Sequence, residues 1–270
     1  MHAKAWTGLV LALATLGFGC GGGGQKQEAA TGQESGTHAE APAATPAAGE
    51  PAAAGGSGSV TGKIMFSGEA PKATPIKMDA DPYCKAQHSE TVSSESVVTN
   101  SDGTLRNVFV YVKAGLPAGQ TYAPPAEPAV LDQHGCTYRP HVLGIMVGQP
   151  LQILNSDGTL HNIHSLAKGS KQFNIGMPTK GMKVTQKFTA EEVMVRVKCD
   201  VHPWMECWMG VLNHPYYSVS GDGGTFEIKN LPAGTYTIEA WHEKFGAQTQ
   251  SVSVTAGQPV EANFTFQPSA

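Results

Sequence analysis

The 270-residue sequence has no apolar run long enough to cross a bilayer, no Cys-x-x-Cys pair and no His-Glu-x-x-His segment. Charge is scarce as well: 15% of residues are charged and the net charge is −4. Each absence excludes a class. Without a basic stripe there is no electrostatic footprint for nucleic acid. Without Cys-x-x-Cys there is no dithiol redox motif. No zincin helix and no nucleophile–base signature point to hydrolysis, so no enzyme is expected. No long amphipathic helical pattern is present either. What the chain does have is 32 glycines and 18 prolines, which imply many turns and at least one stretch without a core.

The N-terminus reads as an export signal: Lys4 supplies positive charge and Leu9 to Phe18 form a short apolar run. The run ends in Leu16-Gly-Phe-Gly-Cys20, which resembles the lipobox of bacterial lipoproteins, with the leucine one position upstream of its usual place. The resemblance implies lipidation at Cys20 and a periplasmic or outer-envelope protein held at the membrane by a lipid anchor. Residues 1–20 are therefore expected to be a lipoprotein-type signal. Residues 21–58, rich in Ala, Pro, Gly, Ser and Glu, cannot bury a core and are expected to be a tether.

Beyond this the chain changes character. Short apolar runs separated by turn residues follow one another: Val60–Phe66, Val108–Lys113, Leu143–Val147, Leu151–Leu154, Val193–Lys198, Thr225–Ile228, Thr235–Ala240, Ser251–Thr255 and Val260–Phe266. Strands at this spacing predict an all-β body, a sandwich or barrel. One turn is used twice, because Asn100-Ser-Asp-Gly-Thr-Leu-Arg-Asn107 echoes Asn155-Ser-Asp-Gly-Thr-Leu-His-Asn162. Only the second copy carries a histidine.

The chemistry concentrates in Cys199-Asp-Val-His202-Pro-Trp-Met205. A thiolate, an imidazole and a thioether recur at every third position, on a short loop stiffened by Pro203. A soft thiolate with imidazoles and a weak thioether is the ligand set of blue-copper electron-transfer sites. Zinc would call for more thiolates or imidazoles and no thioether. The strand before the loop alternates Val193, Val195 and Val197 with polar or flexible residues, a period-two pattern that turns these valines to the core and carries Cys199 inward. A second imidazole is offered by His161 or His164.

At these residues the resemblance is to the cupredoxins. Tyr138 to Pro150, then Asn155 to Asn162, then Cys199-x-x-His202-x-x-Met205 look like a type 1 copper domain, and the short ligand loop is most similar to that of amicyanin. The resemblance implies one mononuclear copper held by His161, Cys199, His202 and Met205 in a Greek-key sandwich. His161 is preferred to His164 because Asn162 follows it and because His164 would point to the opposite face of an extended strand. Asn162 is the candidate for tying the two ligand loops together. The resemblance further implies that His202 lies near the surface as the electron's exit. Asp222 to Ile238, with Gly58 to Ile64, resembles the carboxypeptidase regulatory-like, transthyretin-type sandwich.

The expected organisation is an N-terminal β segment at 59–127, a copper domain at 128–217 and a small regulatory-like sandwich at 218–270. The first strand of the β segment is expected to belong to that small sandwich. Cys84 and Cys136 are candidates for a disulfide, and Cys207, sharing the parity of Met205, for a buried thiol. His88, His134, His141, His214 and His242 lack metal-like partner spacing. The expected function is single-electron transfer with a redox protein partner, a cytochrome or dehydrogenase. Copper storage, delivery or sensing, or a structural surface role, are the alternatives.

Overall fold

The computed structural model describes residues 56–268, and among these it is all-β apart from one five-residue helix. The signal, the lipidation candidate Cys20 and nearly all of the tether lie outside the described residues. The tether's expected end does not: residues 57 and 58 already belong to the first strand.

In chain order the elements are β1 (Ser57–Phe66), α1 (Pro82–Ala86), β2 (Phe109–Ala114), β3 (Ala129–Gln133), β4 (Tyr138–Arg139), β5 (Val142–Met146), β6 (Leu151–Asn155), β7 (His161–Ser165) and β8 (Asn174–Met177). There follow β9 (Lys183–Gln186), β10 (Glu192–Lys198), β11 (Glu206–Leu212), β12 (Tyr217–Val219), β13 (Thr225–Pro232), β14 (Gly234–His242), β15 (Gly246–Val254), β16 (Pro259–Glu261) and β17 (Phe264–Phe266). The single run read at Val260–Phe266 is thus two strands, because Ala262 and Asn263 break it.

The strands form four sheets. One has the order β13-β1-β16 with β17 also on β1, and a second has β12-β2-β14-β15. The third is β5-β11-β10-β7-β8 and the fourth β4-β3-β6-β9. Three apolar layers join them. Val60, Ile64, Val110, Val112, Ile228 and Ile238 fill the space between the first two sheets. Leu131, Ile153, Ile163, Val197, Cys207 and Met209 fill that between the last two. Phe109, Tyr111, Val142, Met194 and Leu212, with Trp208, Tyr217 and Trp241, form a mostly aromatic layer between the second and third sheets.

This stacking explains why β2 reads as a continuous apolar run. Val110 and Val112 point into one layer while Phe109 and Tyr111 point into another, so both faces are covered. β11 is two-faced in the same way. Cys207, Met209 and Val211 enter the core beside the candidate metal loop, and Trp208 and Leu212 face the aromatic layer. Gly210 lies between those two, paired in parallel register with Gly144 of β5. A Cβ at Gly210 would stand 2.2 Å from the Phe109 ring, and one at Gly144 2.2 Å from that of Tyr217. The two glycines make a notch into which the neighbouring sheet's aromatic rings seat.

The alternation expected along β10 is broken at one point. Val195 and Val197 face the core, but Val193 packs with Met194 against the aromatic layer. Met194 has φ +66° and the β10–β11 register shifts between Glu192 and Val195, so a bulge resets the parity of everything upstream of it. The bulge leaves the downstream parity intact, and that parity delivers Cys199.

Segment 75–93 is an excursion that leaves and returns at one place. Its ends are held together by Ile76 N–H to Val92 O (2.8 Å) and Ser94 N–H to Thr74 O (2.8 Å). Its buried residues Met78 and Cys84 join the core of the third and fourth sheets.

Candidate metal centre

Two loops bring the candidate ligands together. The first is the turn between β6 and β7. Asn155 anchors it, donating from its side chain to Thr159 O (3.1 Å) and Met177 O (2.7 Å), and His161 begins the next strand in the register set by that turn. The second loop joins β10 to β11. It is closed by Met205 N–H to His202 O (2.9 Å) and Cys199 N–H to Met205 O (3.0 Å), while His202 N–H points at Cys199 Sγ (3.4 Å). Short backbone bonds of this kind hold the three-residue spacing of Cys199, His202 and Met205 as a fixed turn.

His161, Cys199, His202 and Met205 are all buried, with 2% exposure or less. The Nδ1 atoms of His161 and His202 lie 2.9 Å apart, and Cys199 Sγ is 3.9 Å from His202 Nδ1. The ligand atoms of His161, Cys199 and His202 all fall within 4.8 Å of one another, a group able to hold a metal ion. Met205 closes the same loop and packs in the same core.

Asn162 joins the two loops through its side-chain oxygen. Oδ1 accepts from Asp200 N–H (2.6 Å) and from the Cys199 thiol (3.2 Å), while Nδ2 donates to Asn174 Oδ1 (2.6 Å). His164 is turned away from the centre and meets the Asp200 carboxylate at 2.9 Å.

The electrostatics prepare the thiol for a cation. Burial pushes the Cys199 thiol up, but bonds from the side chains of His161 and His202 and contacts at Asn162 and His202 outweigh it and bring it down to about 6. Burial likewise pushes His161 down, and the Asp157 carboxylate and the Cys199 sulfur overcome this and hold it up at about 9. Both shifts favour the charged forms, and a metal ion bound there would displace a proton from the thiol. Cys207 is different in kind. It is fully buried, with no anion-stabilising partner, and burial pushes its thiol far up, so it is an inert thiol.

Two carboxylates that the sequence reading did not single out complete the centre. Asp157 accepts from Gly135 N–H (2.8 Å) and Cys136 N–H (2.7 Å) and meets His161 Nε2 at 3.0 Å. Asp81 meets His202 Nε2 at 2.9 Å. Each candidate imidazole thus turns Nδ1 inward and gives its outer nitrogen to a carboxylate. A signal for Asp157 was in the repeated turn, four residues before His161. In the first copy the equivalent Asp102 merely accepts from the backbone and hydroxyl of Thr104 (3.1 and 2.6 Å). Nothing in the sequence pointed from Asp81 to a residue 121 positions away.

Cys84 and Cys136 form a disulfide, and Cys84 Sγ lies 3.6 Å from His202 Nε2. The implied surface position of His202 does not hold. The imidazole is 2% exposed because the 81–84 turn covers its outer edge. The exposed apolar side chains nearby in sequence are Leu160 and Val201 instead. Trp204, half-buried, stands 5.0 Å from His202 ring to ring and donates Nε1–H to Cys136 O (3.0 Å).

Residues 211–267 match the family model of the carboxypeptidase regulatory-like domain. No curated protein matches the chain. Among solved structures, the chain is similar to a purple cupredoxin from Nitrosopumilus maritimus, at 26% identity over 31% of this chain and 98% of that one, TM-score 0.27. It is similar to an oxidised amicyanin point mutant at 20% identity over 38% of this chain and 97% of that one, TM-score 0.29. It is also similar to the copper-containing nitrite reductase of Thermus scotoductus SA-01 at 21% identity over 36% of this chain, TM-score 0.30, and spans about a quarter of that protein's length.

Proposed function

We propose that the protein is a carrier of single electrons that holds one copper ion between His161, Cys199, His202 and Met205. The observation that carries this reading is the convergence of two inward Nδ1 atoms on one thiolate inside an apolar core. One soft sulfur and two imidazoles, with a thioether on the same loop, fit copper. Bound there, copper would cycle between Cu(II) and Cu(I) and so hold one electron at a time. The chain's own part is to keep that donor set rigid. The backbone bonds within 199–205, the Asn162 link and the two outer carboxylates fix every imidazole and the sulfur before any ion arrives.

Ligands exposed by 2% or less leave no room for a substrate, which favours a carrier over an enzyme, and they oppose rapid metal exchange, which disfavours a storage or delivery role. The same proposal sets the protein in the cell envelope, exported by residues 1–20 and lipid-anchored at Cys20. A structural disulfide suits that oxidising compartment. Its partner is a redox protein, a cytochrome or dehydrogenase.

The test is the visible and EPR spectrum of the full chain loaded with Cu(II), beside Cys199→Ser. An intense thiolate-to-copper band with narrow copper hyperfine splitting, lost in the variant, is the expected result. A pale spectrum that the substitution leaves unchanged would sink the assignment.

A further inference from the structure

Asp81 sits where three pieces of the chain meet. It is the residue before α1, and its Oδ1 accepts from Tyr83 N–H (2.8 Å) and Cys84 N–H (3.2 Å), which caps the short helix. Its Oδ2 faces the other way. It accepts from Thr159 Oγ1–H (3.1 Å), on the loop that carries His161, and from His202 Nε2–H (2.9 Å), on the loop that carries Cys199. One carboxylate therefore spans both ligand loops while its own turn is tied down by the disulfide three residues later.

Beside the disulfide, the segment is held by His88 Nε2 at Gly135 O (2.7 Å) and by partly buried Ile76, Tyr83 and Val92 against the core. Met78 and Cys84 are the buried residues of segment 75–93, and the Asp81 side chain is 20% exposed. The bond to Cys136 anchors the turn next to the two backbone N–H groups held by Asp157. The pin and the carboxylate that faces His161 are thus built on the same two residues, Gly135 and Cys136.

We infer that Asp81 is a positioning residue for the metal centre, held over the outer edge of His202 by the Cys84–Cys136 disulfide so that the imidazole presents Nδ1 to the ion and is closed to solvent. The inference rests on the copper reading only for its metal-dependent readout. In metal-ligating histidines, a partner on the outer nitrogen sets tautomer and ring orientation, and its loss weakens metal binding about 10- to 100-fold. A carboxylate on a covalently pinned cap performs that task from outside both ligand loops.

Asp81→Asn separates positioning from simple capping. Asparagine caps a helix about as well as aspartate, so the turn at 81–84 is kept. The oxygen facing His202 becomes an amide N–H₂, which cannot accept from Nε2–H. Two readouts on the full chain decide the matter. In the metal-free, ¹⁵N-labelled protein, the His202 Nε2–H resonance should be slow to exchange in the wild type and lost in Asp81→Asn, with the His161 resonance retained. In the copper-loaded protein, release to a chelator should be about 10- to 100-fold faster in the variant. Reducing the disulfide with a phosphine, which takes up the sulfurs' oxidising equivalents and leaves two thiols, should open His202 to diethyl pyrocarbonate at the rate of the exposed His134.

If Asp81→Asn keeps the His202 resonance and releases copper at the wild-type rate, Asp81 is only a helix cap and the inference is overturned. It is equally overturned if His202 of the oxidised, metal-free wild type is acylated as fast as His134. If the wild type fails to give the thiolate-to-copper band, the copper reading falls. The resonance and acylation results then decide the cap by themselves.

Discussion

The notch at Gly210 is the place where a single methyl group should have the largest effect for its size. Alanine there would put Cβ 2.2 Å from Phe109 Cζ, whereas carbon atoms rest at about 3.5–4.0 Å. The ring must retreat by roughly 1.3 Å or the sheet must move. Retreat is blocked. Phe109 is 0% exposed and is flanked by Tyr111 at 5.5 Å and Tyr217 at 5.8 Å between ring centroids. The strand behind offers no slack either, since Gly144 accommodates Tyr217 at the paired position. Overpacking usually costs about 1–3 kcal/mol, and a clash with two immobile surfaces belongs at the upper end, about 3 kcal/mol. For a body of about 200 residues that is a fall in Tm of about 6–12 °C. The assay is a thermal-unfolding double-mutant cycle with Phe109→Ala. Removing the ring is expected to cost about 3–5 kcal/mol by itself, and in that background Gly210→Ala should cost almost nothing. If Gly210→Ala costs the same in both backgrounds, or shifts Tm by less than about 2 °C in the parent, the notch does not seat the ring as described. The metal spectrum should be unchanged throughout, because Gly210 faces away from the core that holds Cys199.

Replacing both Cys84 and Cys136 by serine opens a loop spanning 52 positions, and the chain-entropy estimate puts the loss at about 4 kcal/mol, to be read as a lower non-reducing Tm. His242, stacked 4.5 Å from Phe245 and pushed from 6.5 down to about 4 by burial, contributes stability that is complete above pH 6.5 and is lost as pH falls from there through about 4. The loss should approach about 3 kcal/mol in denaturant titrations, and His242→Phe should flatten that part of the pH profile; an unchanged profile refutes the assignment. Asn162→Ala removes the acceptor that joins Asp200 N–H to the Cys199 thiol and should cost about 1–3 kcal/mol by chemical denaturation. It should also broaden the copper EPR signal, and an identical spectrum would show that the loops hold without it.

What the sequence made legible was whatever depends on neighbours along the chain. The period-two runs marked most of the long strands, and the spacing of Cys199, His202 and Met205 is itself the shape of the loop that presents them. Asn162 could be singled out because it adjoins His161. β8 and β9, which no apolar run marks, are four-residue strands at the edges of two different sheets, where residues need not be apolar. Val193 was misread because a bulge at Met194 depends on the partner strand, not on local pattern. Asp81, and with it the burial of His202, was invisible for a similar reason. The contact joins residues 121 positions apart, and an Asp-Pro pair ahead of a short helix says only that a turn begins there.

The pairing of β1 has a consequence for the order in which the molecule is assembled. Its hydrogen-bonded neighbours are β13, β16 and β17, and Lys63 N–H reaches Asn263 Oδ1 across 200 residues. A chain emerging N-terminus first can pair only the end of this strand early, through Leu105 N–H to Ile64 O (2.9 Å) and Phe66 N–H to Gly103 O (2.8 Å), and the rest waits for the last segments to arrive. Strands β5 to β11 need wait for far less, since their partners lie closer in the chain. Closing shorter loops first is the cheaper course entropically. The sandwich that carries the candidate metal centre should therefore mature ahead of the one whose first strand precedes it, and pulse-labelled hydrogen exchange should find β7, β10 and β11 protected before β1. The strand that opens the described body would be among the last to be completed.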